Sequence, residues 1–154
     1  MSYHCELRDE TAQPTLAVRC KTTYHKLPKT IGDGFAMLRQ HLREKQIVPA
    51  GPMYVKYEGA PAHDFTIEVG VPVPAGVPVG SGISESALPA GPAATVIHRG
   101  HYTDLPHAYK ALEKWIVTEG HAATGEAYEY YMNDGEHTPP DAWLTRISMP
   151  IGQR

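Results

Sequence analysis

A glutamate set among tyrosines, Ala127-Tyr128-Glu129-Tyr130-Tyr131-Met132, is the arrangement in this chain best suited to chemistry. A carboxylate taken out of water is costly without a partner, and aromatic faces attract cations by about 0.5 to 2 kcal/mol. Such a site favours a small aromatic ligand that carries positive charge. Tyr57, Tyr102 and Trp143 are candidate stacking surfaces, and Glu68 is a second candidate carboxylate on an alternating strand. Each has a plainer reading. Glu129 could be a solvated strand residue or paired with Arg or Lys, Glu68 could pair with Arg146, and the aromatics could be core.

Other chemistries find less support. Among nine histidines, His98, His101 and His107 have ligand-like spacing, but no Cys or Glu cluster joins them, so no metal or other cofactor is expected. Gly80-Ser81-Gly82 lacks the GxSxG arrangement of a serine nucleophile, and Gly32 and Gly34 do not follow a strand as a dinucleotide fingerprint would.

The elements that must position these residues recur. Tyr24-His25-Lys26-Leu27-Pro28 and Tyr102-Thr103-Asp104-Leu105-Pro106 share Tyr, Leu and Pro at an offset of 78. Val71-Pro72-Val73 matches Met149-Pro150-Ile151 at the same offset, while Tyr54-Val55-Lys56-Tyr57 matches Tyr128-Glu129-Tyr130-Tyr131 at 74. Internal repetition of this kind predicts two similar units: one domain over 1–154, with halves at about 15–73 and 93–151 and a Pro/Gly-rich connector at about 74–92. Each half reads strand-helix-strand-strand. Residues 15–19 and 93–98 are short β-branched runs; Ile31, Phe35, Leu38 and Leu42 form one helical stripe; Leu105, Ala108, Leu112 and Trp115 form the other, with Asp104 as N-cap. Residues 53–57 and 65–73, then 126–132 and 143–151, alternate as hairpin partners. Strand parity places Phe65, Ile67 and Val69 against the helix and Thr66 and Glu68 on the other face. The expected fold is α+β: a tandem strand-helix-strand-strand repeat with pseudo-twofold symmetry, antiparallel sheets with helices on one side, and a ligand groove on the other. Glu129 and Tyr131, with Val55 and Tyr57 as counterparts, should face that groove.

The chain has 154 residues, and fourteen Lys plus Arg against seventeen Asp plus Glu give a net charge of -3. The scattered basic residues predict no direct nucleic-acid binding, and no apolar run predicts a signal peptide or a membrane span. Cys5 and Cys20 without CxxC spacing read as free thiols, which points to a cytoplasmic protein. About fourteen residues precede the first expected strand, too few for a helix-turn-helix, so a complete transcription regulator is not expected.

Val96-Ile97-His98-Arg99-Gly100-His101-Tyr102, the strand Tyr128-Glu129-Tyr130-Tyr131-Met132-Asn133-Asp134, and Trp143-Leu144-Thr145-Arg146-Ile147-Ser148-Met149-Pro150-Ile151 carry a resemblance. The chain resembles the GyrI-like small-molecule-binding family over nearly its whole length. That fold is shared by effector domains of multidrug-responsive MerR- and AraC-type regulators, stand-alone gyrase-modulating proteins and, more distantly, SOUL haem-binding proteins. The resemblance implies a stand-alone binder of lipophilic cationic or polarised aromatic compounds, with Glu129 at the bottom of an aromatic pocket, acting in drug or toxin sequestration or sensing. It equally implies an alternative, hydrolysis of cyclopropanoid genotoxins by Glu129 and Tyr131. A third implication is a protein that contacts gyrase, and a homodimer contact is compatible with each of the three.

Overall fold

The computed structural model describes residues 3–58, 64–133 and 137–152, so Asp134 of the tyrosine-strand motif lies outside the described residues. In chain order the elements are β1 (Cys5–Glu10), β2 (Gln13–Thr23), α1 (Leu27–Lys45), β3 (Tyr54–Glu58), β4 (Asp64–Pro72), β5 (Ser84–Leu88), β6 (Gly91–Arg99), α2 (Leu105–Thr118), β7 (Ala122–Ala123), β8 (Glu126–Tyr131) and β9 (Leu144–Gly152). Short 3-10 turns at Tyr102–Asp104 and Pro140–Ala142 precede α2 and β9.

The strands form an antiparallel sheet in the order β1-β6-β9-β8-β3-β4-β2-β5, with β7 added beside β9. This order reads the same from either end once the halves are exchanged: β8 meets β3 at the centre, flanked by β9 and β4, then β6 and β2. The class is α+β with the tandem repeat and pseudo-twofold symmetry that the offsets predict, in one curled sheet. β1 and β5 arise where the sequence shows no strand pattern, because both are polar edge strands (CELRDE and SESAL) held by main-chain pairing. β1 pairs with β6 and β5 with β2, so each half's leading strand lies on the other half. The register runs on without slip from Glu10↔Gly91 to Gln13↔Leu88. β1–β2 and β5–β6 are therefore one continuous kinked ribbon that joins the two outer edges of the sheet.

Both helices lie on one face. α1 buries Leu38 and Leu42 against Leu16, Ile67, Val69 and Val71, each such side chain contributing roughly 1.5 to 3 kcal/mol. Gly34 permits the close approach, since a Cβ there would sit 3.0 Å from the Val69 side chain. α1 starts with Pro28 in its first turn and ends at Gln46, which takes the left-handed conformation (φ 55°). α2 buries Leu105, Ala108, Leu112 and Ile116 against Ala94, Val96, Ile147 and Met149, with Trp115 only half-buried beside them. Asp104 occupies the N-cap but makes no side-chain hydrogen bond, because the preceding 3-10 turn already holds it in a helical conformation (φ -94°, ψ -2°).

The cross-strand pairs Val55↔Val69, Tyr57↔Ile67 and Val55↔Glu129 put Val55, Tyr57, Ile67, Val69 and Glu129 on the helix-bearing face. Tyr54, Glu68, Tyr128 and Tyr130 occupy the opposite face, where the tyrosines pack with Leu88. The groove expected opposite the helices lies instead between them. α1 packs on β2 and β4 and α2 on β6, so the central strands β3 and β8 lie between the two helices on the same face. Each helix is too narrow to cover its half of so wide a sheet.

Candidate ligand-binding site

The two central strands floor a groove of about 1860 Å³, walled by α1 on one side and α2 on the other. Its lining repeats the internal symmetry. Tyr24, Leu27, Pro28, Ile31 and Phe35 of the first half have Tyr102, Leu105, Pro106, Tyr109 and Glu113 as their counterparts at an offset of 78, and all ten line the groove. On the floor Tyr57 corresponds to Tyr131. The two walls are alike at Leu27 and Leu105 but differ at three paired positions, where Ile31, Gly32 and Phe35 of α1 correspond to Tyr109, Lys110 and Glu113 of α2.

Glu129 sits on β8 at the floor, 6% exposed. The Tyr109 hydroxyl, from α2, donates to Oε2 at 2.5 Å, and the Tyr131 hydroxyl, from β8 itself, donates to Oε1 at 2.8 Å. Among the described residues no Lys, Arg or His lies within ion-pair distance of Glu129. Burial pushes the Glu129 carboxyl above its usual range, and the two tyrosine hydrogen bonds oppose that rise without cancelling it. Burial, then the Glu129 charge, raises the hydroxyls of Tyr57, Tyr109, Tyr131 and Tyr102, so all four remain protonated at neutral pH.

Around Tyr131 the rings form edge contacts. Phe35 of α1 meets it at 5.5 Å between centroids and Tyr102 at 5.8 Å, each near 77°. Trp143 does not line the groove; it stacks behind Tyr102 at 4.6 Å and 21°, and its indole N–H donates to the Thr138 carbonyl at 2.9 Å. Its place is thus to support Tyr102. Glu68 is absent from the groove, because its strand parity points it to the opposite face. There it is buried and accepts hydrogen bonds from Tyr54 Oη (2.9 Å) and Ser86 Oγ (3.0 Å). Arg146 does not pair with Glu68; it bonds Glu10 at 2.8 Å and lies over the Tyr130 ring at 4.2 Å.

Sequence reasoning missed Tyr109 and Phe35. The repeat carried a signal for Tyr109, since its counterpart Ile31 stands on the apolar stripe of the first helix. The rim carries both signs of charge, Arg39 and Lys110 with Glu113 and Glu126; Glu126 is already paired with Lys56 at 2.8 Å. His98 and His101 are joined by a hydrogen bond from ring Nε2 to the His101 carbonyl (3.1 Å), which anchors the turn that carries Tyr102.

A curled antiparallel sheet with two helices on one face and an aromatic groove between them defines a small-molecule-binding α+β fold. The chain belongs to the GyrI-like small molecule binding domain family, whose profile matches residues 4–152. No curated protein sequence matches it. Among solved structures it is similar to the EcmrR C-terminal domain, with a TM-score of 0.83, 21% identity and 100% of both chains covered. It is similar also to a hydrolase from Listeria innocua (TM-score 0.69, 13% identity, 96% of this chain and 91% of that one). SAV2435, in its structure bound to tetraphenylphosphonium, has a TM-score of 0.64 and 10% identity over 99% of this chain and 94% of the other. At these identities the likeness is one of fold. No helix among the described residues is long and apolar enough to cross a membrane.

Proposed function

We propose that the chain binds lipophilic aromatic cations in the groove between α1 and α2, and so sequesters or senses drug- or toxin-like compounds. Glu129 meets the positive charge, and Tyr131, Tyr57, Tyr102 and Tyr109 supply aromatic surface. The observation that carries this reading is the buried Glu129 carboxylate at the floor of an aromatic groove, held by two hydroxyls and without a basic partner among the described residues. Its dehydration is incurred on folding, so an arriving cation meets a charge already stripped of water. The unequal walls give the ligand an orientation, with its apolar body on α1 and its charged end toward β8 and α2. That SAV2435, with the same fold, is seen with tetraphenylphosphonium is consistent with this chemistry.

A hydrolytic reading draws on one observation, the raised pKa of Glu129, which suits a general base. It meets a conflict of protons. While Glu129 is ionised, the Tyr109 and Tyr131 hydroxyl protons are committed to its oxygens. Tyr131 cannot donate to a substrate oxyanion at the moment Glu129 acts as base unless that bond is first broken. Titration with tetraphenylphosphonium and with neutral triphenylphosphine oxide, followed by tyrosine fluorescence, tests the binding reading. Tighter binding of the cation supports it; equal binding overturns it. Mass spectrometry of a cyclopropane-bearing electrophile after incubation decides for hydrolysis if a water adduct forms.

A further inference from the structure

The hydrogen-bond capacity of the groove floor narrows the ligand class further, on the footing that the groove takes cations at all. An ionised carboxylate offers about four lone-pair sites, two on each oxygen. Tyr109 fills one on Oε2 and Tyr131 one on Oε1, so one site on each oxygen remains open. Both tyrosine hydroxyls have spent their only proton on Glu129, and what they still offer is acceptor capacity. The Tyr57 hydroxyl is engaged with Tyr131, so what the carboxylate itself presents is acceptors, and its two open sites match the parallel N–H fork that arginine presents to carboxylates.

We infer that the groove selects aromatic cations bearing a planar pair of N–H donors, amidinium or guanidinium groups, over quaternary onium ions of similar size. A quaternary cation receives the Coulomb attraction and the ring faces but leaves both open acceptors unpaired and dry. An aryl amidinium receives the same attraction and satisfies both. Such an ion also suits the unequal walls: its flat ring lies against Leu27, Ile31 and Phe35 of α1, while its fork reaches across to β8.

Three naphthalene derivatives test this by calorimetry: the amidine, the trimethylammonium and the neutral carboxamide, each titrated into wild type and Glu129→Gln. Hydrogen bonds to a charged group lead to an expected preference of at least about tenfold for the amidine over the trimethylammonium in wild type. In Glu129→Gln the two cations should bind alike, with an unchanged circular dichroism spectrum as the check that the variant is folded. Two cations that bind wild type equally, both tighter than the carboxamide, overturn the inference and leave the cation reading standing. An amidine preference that persists in Glu129→Gln also overturns it, by assigning the donors to another acceptor such as Glu113. Three compounds that bind wild type alike overturn the cation reading itself.

Discussion

In Glu129→Gln the charge at the groove floor is removed while its shape is nearly kept. A cation in contact with the carboxylate, at roughly 4 Å and an effective dielectric near 20, is attracted by about 4 kcal/mol. At about 1.4 kcal/mol per factor of ten this corresponds to a loss of about a thousandfold in affinity for tetraphenylphosphonium. That figure is an upper bound, since the raised pKa of Glu129 means that part of the wild-type population is neutral as pH falls. Gln retains one carbonyl oxygen to accept from Tyr109 or Tyr131 and adds N–H donors, so the aromatic surface stays in place and triphenylphosphine oxide, whose oxygen is an acceptor, binds at least as well as to wild type. Isothermal titration of both ligands into both proteins reads the difference directly. An equal loss for the two ligands refutes the reasoning, because it shows that the substitution disturbs the groove rather than its charge. A cation affinity left intact refutes it too, because it places the charge of the ligand elsewhere.

Cation affinity should fall as pH is lowered through the raised pKa of Glu129, and in Tyr109→Phe, which removes one of the bonds holding that pKa down, the loss should set in at higher pH; Kd measured across pH checks both. The unliganded protein should show the opposite dependence. A carboxyl whose folded pKa is raised contributes stability at low pH that is lost as pH rises through that pKa, so the stability difference between wild type and Glu129→Gln should shift against wild type with rising pH in thermal melts. Glu68→Ala removes the acceptor of the buried Tyr54 hydroxyl, which keeps only Thr15, and of the half-buried Ser86 hydroxyl, and should destabilise by about 1 to 3 kcal/mol in urea titrations, with ligand affinity unchanged because the groove lies on the other face. Gly70→Ala drives a Cβ to within 2.3 Å of the fully buried Tyr54 ring and should cost about 1 to 3 kcal/mol or more by the same measurement.

Repetition made the core of the fold legible. Leu27-Pro28 and Leu105-Pro106 marked both helix starts, and the alternation Phe65, Ile67, Val69 gave the helix-facing side of β4 correctly. β1 and β5 escaped because edge strands held by backbone pairing carry no apolar alternation, and Ser84–Leu88 also sits in a Pro/Gly-rich stretch. The face of the groove was misassigned for a geometric reason: parity says which residues share a face, but how much of that face a helix covers depends on sheet width. Glu68 was lost from the site by that same step, since it lies on the face first assigned to the groove. Trp143 lies just before β9, and its backing of Tyr102 depends on a turn whose path local pattern does not encode.

The ribbon formed by β1–β2 and β5–β6 also governs what happens when the chain is cut. Gly76, in an exposed turn at φ +79°, lies between β4 and β5, so a break there yields one fragment with β1 to β4 and another with β5 to β9. Neither fragment holds the strand that borders its own sheet; each carries its partner's. Each severed piece supplies pairing that the other lacks, so reassembly by complementation is the expected outcome of mixing them, and the groove floor, β3 of one against β8 of the other, exists only in the reunited pair. A reporter divided at this turn would sense its ligand through the seam between two molecules.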